Sequence, residues 1–262
     1  SNKALTVSEG GSGSIALEAT DVETADNTLT FKLETEPSNG KAIISNGQVT
    51  YTHSGTETTS DSFTYSANDG TESGAPATVS VTISAVNSSP KTTTVSIALN
   101  EGAASTYDLA TNSSDTDTNV ANLTYTLVAA PTNGAITDPN NSNAAVSAGG
   151  QLSGSTITYT HNGGETTSDS FTYKVNDGNS DSNTSTSTIT VTAVNDIPTI
   201  DASGTVAVDE KDQVDITILG SDVDSSTLTY TIVSTPNSGI LRNSSGTDLS
   251  TGNSISDNVI TY

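Results

Sequence analysis

Apolar and polar residues alternate with a period of two along most of this chain. The clearest runs place apolar residues at every second position between threonine, serine and lysine: Leu29, Phe31, Leu33; Val79, Val81, Ile83; Phe171, Tyr173, Val175. A period of two puts successive side chains on opposite faces of a β-strand, and no stretch shows the 3.6-residue spacing of a helix. The pattern therefore predicts an all-β protein whose strands each bury one face.

The chain also repeats itself. Segment Val49–Tyr65 recurs almost unchanged as Ile157–Tyr173, and a third copy starts at Val259–Tyr262, where the sequence stops. A Pro-x-x-Gly turn precedes each copy, and Gly, Asn-Gly and Asp-Gly steps separate the strands as hairpins require. About seven strands in roughly 100 residues is typical of an immunoglobulin-like β-sandwich.

We therefore predict tandem β-sandwiches: repeat 1 over residues 1–88, repeat 2 over 89–196 and a partial third unit over 197–262. The third unit would lack its last two or three strands and leave sheet edges uncovered. We expect that the protein continues beyond Tyr262 or that another segment completes the unit. The joints carry Pro90 and Pro198, which predicts short, stiff connections rather than flexible tethers.

The composition of the chain excludes several classes of partner. Thirty Asp and Glu against seven Lys and Arg give a net charge of −23, which argues against nucleic acid or an anionic membrane as a partner and favours hard cations. No apolar run reaches the length of a membrane helix, so no direct membrane insertion is expected. Cysteine is absent, which excludes disulfides. We expect an extracellular or cell-surface location, in bacteria rather than animals.

Catalytic candidates are few. His53 and His161 occupy equivalent repeat positions, and a catalytic residue is rarely copied into every repeat, so both are interpreted as turn-packing residues. Asp61 and Asp169 are expected to bond loop amides. No Ser-His-Asp set is supported by the spacing, and the chain is predicted not to be an enzyme.

The segments Tyr173–Gly178 and Ile189–Pro198 resemble the bacterial cadherin-like tandem repeats of large surface adhesins. The core Thr-His-x-Gly-x-Glu-Thr-Thr-Ser-Asp-Ser-Phe-Thr-Tyr is also similar to the repeat of chondroitin sulfate proteoglycans. The resemblance covers both full repeats and most of the third unit. It implies a tandem immunoglobulin/cadherin-like fold and a long extracellular stalk whose joints are often stiffened by calcium (Ca²⁺).

The resemblance also implies ligands for that calcium: a Glu on the first strand, an acidic pair after the second, an Asp near the last hairpin, and the linker. The matching residues at the second joint are Glu101, Asp177, Asn195, Asp196, Asp222 and Asp224, and at the first joint Glu9, Asp115 and Asp117. Further matching positions are Asp21, Glu23, Asp69 and Glu210. The first linker, Asn87–Pro90, lacks a carboxylate, so the first site is expected to be weaker. The alternative interpretation is that these acidic loops are merely solvated and keep an exported protein soluble.

Three functions remain open. The leading hypothesis is a structural stalk of an adhesin, in which each repeat contacts its neighbours in the same chain. A second is a self-assembling filament in which a strand from an identical chain completes the third unit. A third is a carbohydrate-binding or glycan-hydrolysing module, which usually needs exposed aromatic platforms. This chain has no Trp, and most of its eight Tyr lie at predicted core positions.

Overall fold

A computed structural model describes residues 1–23, 28–201 and 204–262. These residues form three β units in series, with short 3-10 turns at Leu109–Asn112, Val120–Asn122 and Pro139–Asn141. No helix among the described residues is both long and apolar enough to cross a membrane. The prediction of an all-β fold is confirmed. The unit boundaries at 88 and 196 stay a prediction.

The described residues of repeat 1 form seven strands, which agrees with the prediction of about seven. They are β1 (Lys3–Ser8), β2 (Ser12–Ala16), β3 (Thr30–Thr35), β4 (Gly40–Ser45), β5 (Gln48–His53), β6 (Ser60–Asn68) and β7 (Ala77–Ser84). One sheet has the order β1-β7-β6-β3 and the other β2-β5-β4. The first strand, β1, pairs in parallel with the last, β7, and this pairing brings the start of the repeat to its end.

Repeat 2 has the same plan with additional short strands. Its strands are β8 (Lys91–Thr92), β9 (Ser96–Asn100), β10 (Ala104–Asp108), β11 (Ser113–Ser114), β12 (Thr124–Ala129), β13 (Gly134–Asp138), β14 (Ala144–Ala145), β15 (Thr156–His161), β16 (Ser168–Asn176) and β17 (Ser185–Thr192). The two main sheets are β9-β17-β16-β12 and β10-β15-β13-β14, and β8 pairs with β11. Again the first long strand, β9, lies parallel to the last, β17.

Burial has the predicted period of two. In β17 every second residue is buried and the others are exposed, and β5 shows the same alternation. The inward residues form one core cluster per repeat, and each cluster includes buried tyrosines, among them Tyr51 in repeat 1 and Tyr159 in repeat 2. Two separate cores explain how a chain with so few apolar residues folds, because each thin sandwich needs only alternate positions.

The repeated Pro-x-x-Gly turn has a packing reason. A Cβ added to Gly40 would lie 2.6 Å from a ring carbon of Tyr51, and the same holds for Gly134 against Tyr159. The turn therefore passes directly beneath a buried tyrosine ring, where only glycine fits.

A carboxylate ties the same turn to the sheet, as predicted for Asp61 and Asp169. Asp61 accepts hydrogen bonds from the backbone N–H groups of Ser38 (3.0 Å) and Asn39 (2.8 Å) and from the Tyr51 hydroxyl (2.9 Å). Asp169 makes the equivalent bonds in repeat 2. Burial by itself would raise the pKa of both carboxyls, but these donors outweigh it and the pKa of each lies below its usual value.

The third unit is thinner. Its strands are β18 (Thr199–Ile200), β19 (Asp215–Thr217), β20 (Gly220–Ser221), β21 (Tyr230–Thr231), β22 (Leu241–Asn243), β23 (Asp248–Leu249), β24 (Ser254–Ile255) and β25 (Val259–Thr261). Its buried core consists of Ile232, Leu249, Ile255 and Ile260. Residues 204–214, which correspond to the first strand and first turn of the other repeats, contain no strand. In repeats 1 and 2 that strand is held by the last one, and the described residues of the third unit form no equivalent of β7 or β17.

Candidate metal centres at the joints

Three carboxylates meet where repeat 1 is joined to repeat 2. Glu9, Glu57 and Asp117 each place one carboxylate oxygen within 4.8 Å of the others. Glu9 directly follows β1, Glu57 lies in the loop between β5 and β6, and Asp117 belongs to repeat 2. This group, the first joint cluster, therefore combines two residues of one repeat with one of the next.

A second group of three carboxylates lies at the next joint, and its loop residue, Glu165, is 108 positions after Glu57. Glu101, Glu165 and Asp196 also place carboxylate oxygens within 4.8 Å of one another. Glu101 and Glu165 correspond to Glu9 and Glu57, whereas Asp196 comes from the linker between repeat 2 and the third unit. We refer to these three residues as the second joint cluster.

The parallel first strand explains why the glutamate reaches the linker. The Glu9 N–H donates to the Ser84 carbonyl at the end of β7, and the Glu101 N–H donates to the Thr192 carbonyl at the end of β17, both at 2.9 Å. Each glutamate side chain then accepts a bond from the linker, from the N–H of Val86 (3.3 Å) in one case and Val194 (3.4 Å) in the other. The first strand thus carries its carboxylate to the exit of its own repeat.

The two acids of the pair after the second strand have different contacts. One oxygen of Asp115 accepts the backbone N–H groups of Asp117 and Thr118, both at 2.7 Å, and so shapes the loop. Asp222 does the same for Asp224 and Ser225 in the third unit. The second acid of each pair faces the linker.

The linker meets that second acid through its backbone. At the first joint the Ser88 N–H donates to Asp117, and at the second the Asp196 N–H donates to Asp224. A backbone donor makes this contact whatever side chain the linker carries. Of the predicted ligands, Glu9, Asp117, Glu101 and Asp196 thus lie in the clusters, Asp224 contacts the second one, and Asp115 and Asp222 shape the loops.

Asp177 is not at the second joint, where the family pattern placed it. Its carboxylate accepts the side-chain amide of Asn87 at 2.8 Å, and Asn87 in turn accepts the amide of Asn179. The hairpin between β16 and β17 faces backward, toward the linker that precedes repeat 2, so its aspartate serves the first joint. Backbone N–H groups, with Ser180 first, and the Asn87 amide lower the pKa of Asp177 to about 2.

The remaining predicted positions contribute less. The Asn195 side chain donates to the Asp196 carbonyl at 2.6 Å and thereby holds the linker backbone. Asp21, Glu23, Asp69 and Glu210 belong to neither cluster.

Sequence reasoning missed Glu57 and Glu165. Both stand in the Thr-His-x-Gly-x-Glu part of the internal repeat, where the residues around them change from Ser54 and Thr56 to Asn162 and Gly164. An acidic residue retained between variable neighbours was the available signal. Its partners lie far away in the sequence, so only the folded loop shows what it faces.

The two clusters carry uncompensated negative charge. Hydrogen bonding to Asp117, burial, and the charges of Asp117 and Glu9 raise the pKa of Glu57 to about 7. Burial and the charges of Glu101, Asp224 and Asp196 raise the pKa of Glu165. The ion pairs found among the described residues do not involve any cluster carboxylate.

Two buried oxygens at the joints have no hydrogen-bond partner: Glu101 Oε1 and Asp115 Oδ2. A buried carboxylate oxygen without a donor is costly, and a cation would satisfy it. Oxygen donors of this kind, drawn from carboxylates with backbone groups nearby, fit calcium better than a soft metal, since the chain offers no thiolate. Both joints therefore have a donor set that suits calcium.

Comparison with known families covers most of both repeats. Residues 94–191 match the family model described as Cadherin-like, and residues 1–82 match the model described as Bacterial Ig domain. These matches confirm the resemblance inferred from the repeat motifs. No curated protein matches the chain.

Solved structures with a similar fold include cadherin ectodomains. Human CDH23 EC21-23 is 17% identical, with 98% of this chain and 92% of that chain covered and a TM-score of 0.57. Mouse Cadherin-23 EC22-24 is 18% identical, with 99% and 84% covered and a TM-score of 0.53. The Protocadherin GammaB4 extracellular domain is 15% identical, with 98% and 42% covered and a TM-score of 0.54. At these identities the similarity concerns the fold, which is a series of β-sandwiches.

Proposed function

We propose that this chain, which consists of tandem cadherin-like and bacterial Ig-like repeats, is a stalk segment of an extracellular adhesin-type protein. Its role is to hold other parts of that protein at a distance, with no catalytic step. The observation that carries the proposal is the convergence of three carboxylates at each joint, two from the repeat before it and one from the next repeat or from the linker. Groups of like charge on separate bodies repel one another, so a joint of this composition needs a cation to be stiff.

The cation we propose is calcium. Glu9, Glu57 and Asp117 would hold it at the first joint, and Glu101, Glu165 and Asp196, with Asp224 beside them, at the second. When bound, calcium supplies positive charge that offsets the mutual repulsion of these carboxylates. The protein residues supply the rest: the glutamates belong to one repeat, and Asp117 or Asp224 belongs to the next, so ligands from two units share one site.

The test is to compare the full chain in excess calcium and in excess chelator. A ligand that binds only the folded state stabilises it by about 2.7 kcal/mol at 100 times its dissociation constant. We expect a higher melting temperature in calcium, together with a longer and narrower distribution of interatomic distances in small-angle X-ray scattering. Magnesium at the same concentration controls for general screening.

A matched pair of variants makes the test specific. Glu165→Gln removes a cluster charge, whereas Glu36→Gln removes the same charge at an exposed position in repeat 1. Only the first should reduce the calcium-dependent rise in melting temperature. Identical melting curves for the wild-type chain in calcium and in chelator would refute the calcium-stiffened stalk.

The third unit supports a second candidate, a filament assembled by strand addition. Strand β21 pairs with β24, whereas its counterparts β3 and β12 each pair with the long strands β6 and β16. An apolar groove lined by Ile200, Ile218, Leu228 and Ile232 runs beside β21. A strand from a second copy of this chain would pair with β21 and cover this groove. Concentration-dependent fibres in electron microscopy would support the filament, and a monomer at every concentration would count against it.

A carbohydrate-binding role has less support. Five of the eight tyrosines, Tyr51, Tyr65, Tyr125, Tyr159 and Tyr173, are fully buried in the two sandwich cores. Sugar binding usually relies on exposed aromatic faces, and these rings are not available for it.

A further inference from the structure

The two histidines of the repeat lie directly behind the joint clusters. His53 and His161 are each 3% exposed, so both polar rings are buried. His53 ends β5, four residues before Glu57, and His161 ends β15, four residues before Glu165. Each ring therefore starts the loop that carries a cluster glutamate.

Each ring also accepts a hydrogen bond from the turn that carries the other glutamate of the same cluster. His53 Nδ1 accepts the backbone N–H of Gly10, next to Glu9, at 3.1 Å, and the N–H of Gly55 at 3.3 Å. His161 Nδ1 accepts the N–H groups of Gly102, next to Glu101, and of Gly163, both at 3.3 Å. One nitrogen atom thus joins the two loops that hold the two glutamates of a cluster.

These contacts determine the tautomer. Because two N–H donors point at Nδ1, that nitrogen carries no hydrogen, and the ring proton lies on Nε2. Nε2 lies 2.9 Å from the Thr58 hydroxyl in repeat 1 and 2.8 Å from the Thr166 hydroxyl in repeat 2, so it donates to them. The ring is held on both sides.

Glycines give both loops the left-handed backbone conformation that this arrangement uses, while an added Cβ would meet the facing loop only at ordinary contact distance. Gly10 and Gly55 both have positive φ, of 65° and 81°, and a Cβ on either would lie 3.9 Å from the Cα of the other. Gly102 and Gly163 repeat the pairing, since a Cβ on Gly102 would lie 4.0 Å from the Cα of Gly163. The geometry is the same in both repeats although the linkers differ.

We propose that His53 and His161 are positioning residues for the joint sites, since each fixes the distance between the two glutamates of its cluster through Nδ1. The inference rests on the proposed function, because it concerns how the calcium ligands are held. Outer-shell groups that orient metal ligands commonly change metal affinity by about 10- to 100-fold when removed. A histidine that only stabilised the sandwich would change the melting temperature without changing the affinity of the folded chain for calcium.

The experiment uses the full chain with Glu9→Gln and Glu57→Gln as the parent, so that calcium titration by calorimetry reports the second joint. In this parent, His161→Ala should weaken calcium binding by about 10-fold or more. His161→Asn keeps an acceptor oxygen near the position of Nδ1 and should recover most of the affinity, whereas His161→Gln places its amide too far along the side chain and should not. His53→Ala, at the other joint, is the matched control and should leave this titration unchanged.

The outcomes are distinct. A parent that binds no calcium overturns this inference, and a wild-type chain that binds none overturns the proposed function as well. A parent that binds calcium, with a folded His161→Ala that binds equally well, overturns the inference alone. If His161→Ala does not fold, the comparison of His161→Asn with His161→Gln decides, and equal affinities would overturn the positioning role. Melting temperatures in chelator, measured for every variant, separate loss of fold from loss of the site.

Discussion

The first joint draws its three clustered carboxylates from the two repeats that it connects, whereas the second draws one of its three from the linker itself. The difference lies at one position: Ser88 in the first linker corresponds to Asp196 in the second. In both joints the N–H of that residue donates to the acidic loop of the next unit, at Asp117 or at Asp224. The backbone therefore makes the contact in both joints. The side chain at that position changes the charge of the joint and leaves the contact in place.

The two joints also differ in the packing of the unit on their far side. Pro90 is buried against the complete sandwich of repeat 2, whereas Pro198 is exposed and its neighbour Ile197 is 86% exposed. The first joint has an additional contact from Asp177 through Asn87. At the second joint, the side chain of Asn195, which corresponds to Asn87, bonds the linker itself and no described residue of the third unit. The first joint thus has more packing, whereas the second has less packing and a carboxylate in its linker.

The largest expected effect comes from removing the glutamates of one joint. Glu101→Gln with Glu165→Gln should weaken calcium binding at the second joint by about 100-fold, because calcium affinity depends on the charge of its ligands. The first joint should be unaffected. Calorimetric titration that counts two calcium-binding steps in the wild type and one in the variant would confirm this; two unchanged steps would contradict it.

A change in the repeat cores should affect the two repeats equally, unlike a change at the joints. In both aspartates, one carboxylate oxygen accepts hydrogen bonds from a backbone N–H and from a tyrosine hydroxyl. Asp61→Asn and Asp169→Asn each turn this carboxylate into an amide, which has only one acceptor oxygen. We expect each to lower the free energy of unfolding by about 1–3 kcal/mol. Urea denaturation of each repeat in chelator measures this. A marked inequality would show that the two sandwiches are less alike than their hydrogen bonds indicate.

Exchanging the linker residues tests the comparison itself. Asp196→Ser should weaken calcium at the second joint by about 10-fold, and Ser88→Asp should strengthen the first joint by a similar factor. The contact from the linker N–H should persist in both variants, since it does not involve the exchanged side chain. If the exchange leaves the calcium affinities of both joints unchanged, the difference between Ser88 and Asp196 does not distinguish the joints.

Acid should have opposite effects at the joint and in the core. The pKa of Glu57 is raised to about 7, so its charge destabilises the metal-free fold at neutral pH. In chelator, the melting temperature should therefore rise as the pH falls from about 8 to about 5, and calcium affinity at the first joint should fall over the same range as protons compete for Glu57. Asp61 and Asp169 have lowered pKa values, so their contribution is present above about pH 4 and is lost as the pH falls through their folded pKa.

Melting curves measured in chelator across pH check the expected rise in mild acid and the expected loss of stability in strong acid. Because the pKa of Glu165 is raised as well, Glu57→Gln should reduce the rise between about pH 8 and about pH 5 without abolishing it, and should leave the acid unfolding unchanged. A wild-type chain that loses stability steadily from about pH 8 downward would contradict the assignment of Glu57.

The sequence by itself determined the fold. Alternating residues specify strands with one buried face, and the recurrence of Val49–Tyr65 specifies how many times the sandwich occurs. The turn chemistry could also be predicted from residue types, since Gly40 and Asp61 are typical of turns, although Asp61 in β6 reaches the turn from the other sheet. Strand alternation depends on short-range geometry, which a linear pattern records directly.

Only the tertiary structure decided which acidic residues meet. Glu9 and Glu57 belong to one cluster because β1 runs parallel to the last strand while the loop after β5 folds back beside it. Asp177 lies at the first joint because its hairpin faces the preceding linker. Cluster membership depends on strand order and on which end of a sandwich each loop occupies, and spacing along the chain carries neither. For the same reason, the two histidines could be interpreted as packing residues from the sequence, but their bonds to both glutamate-bearing loops became visible only in the fold.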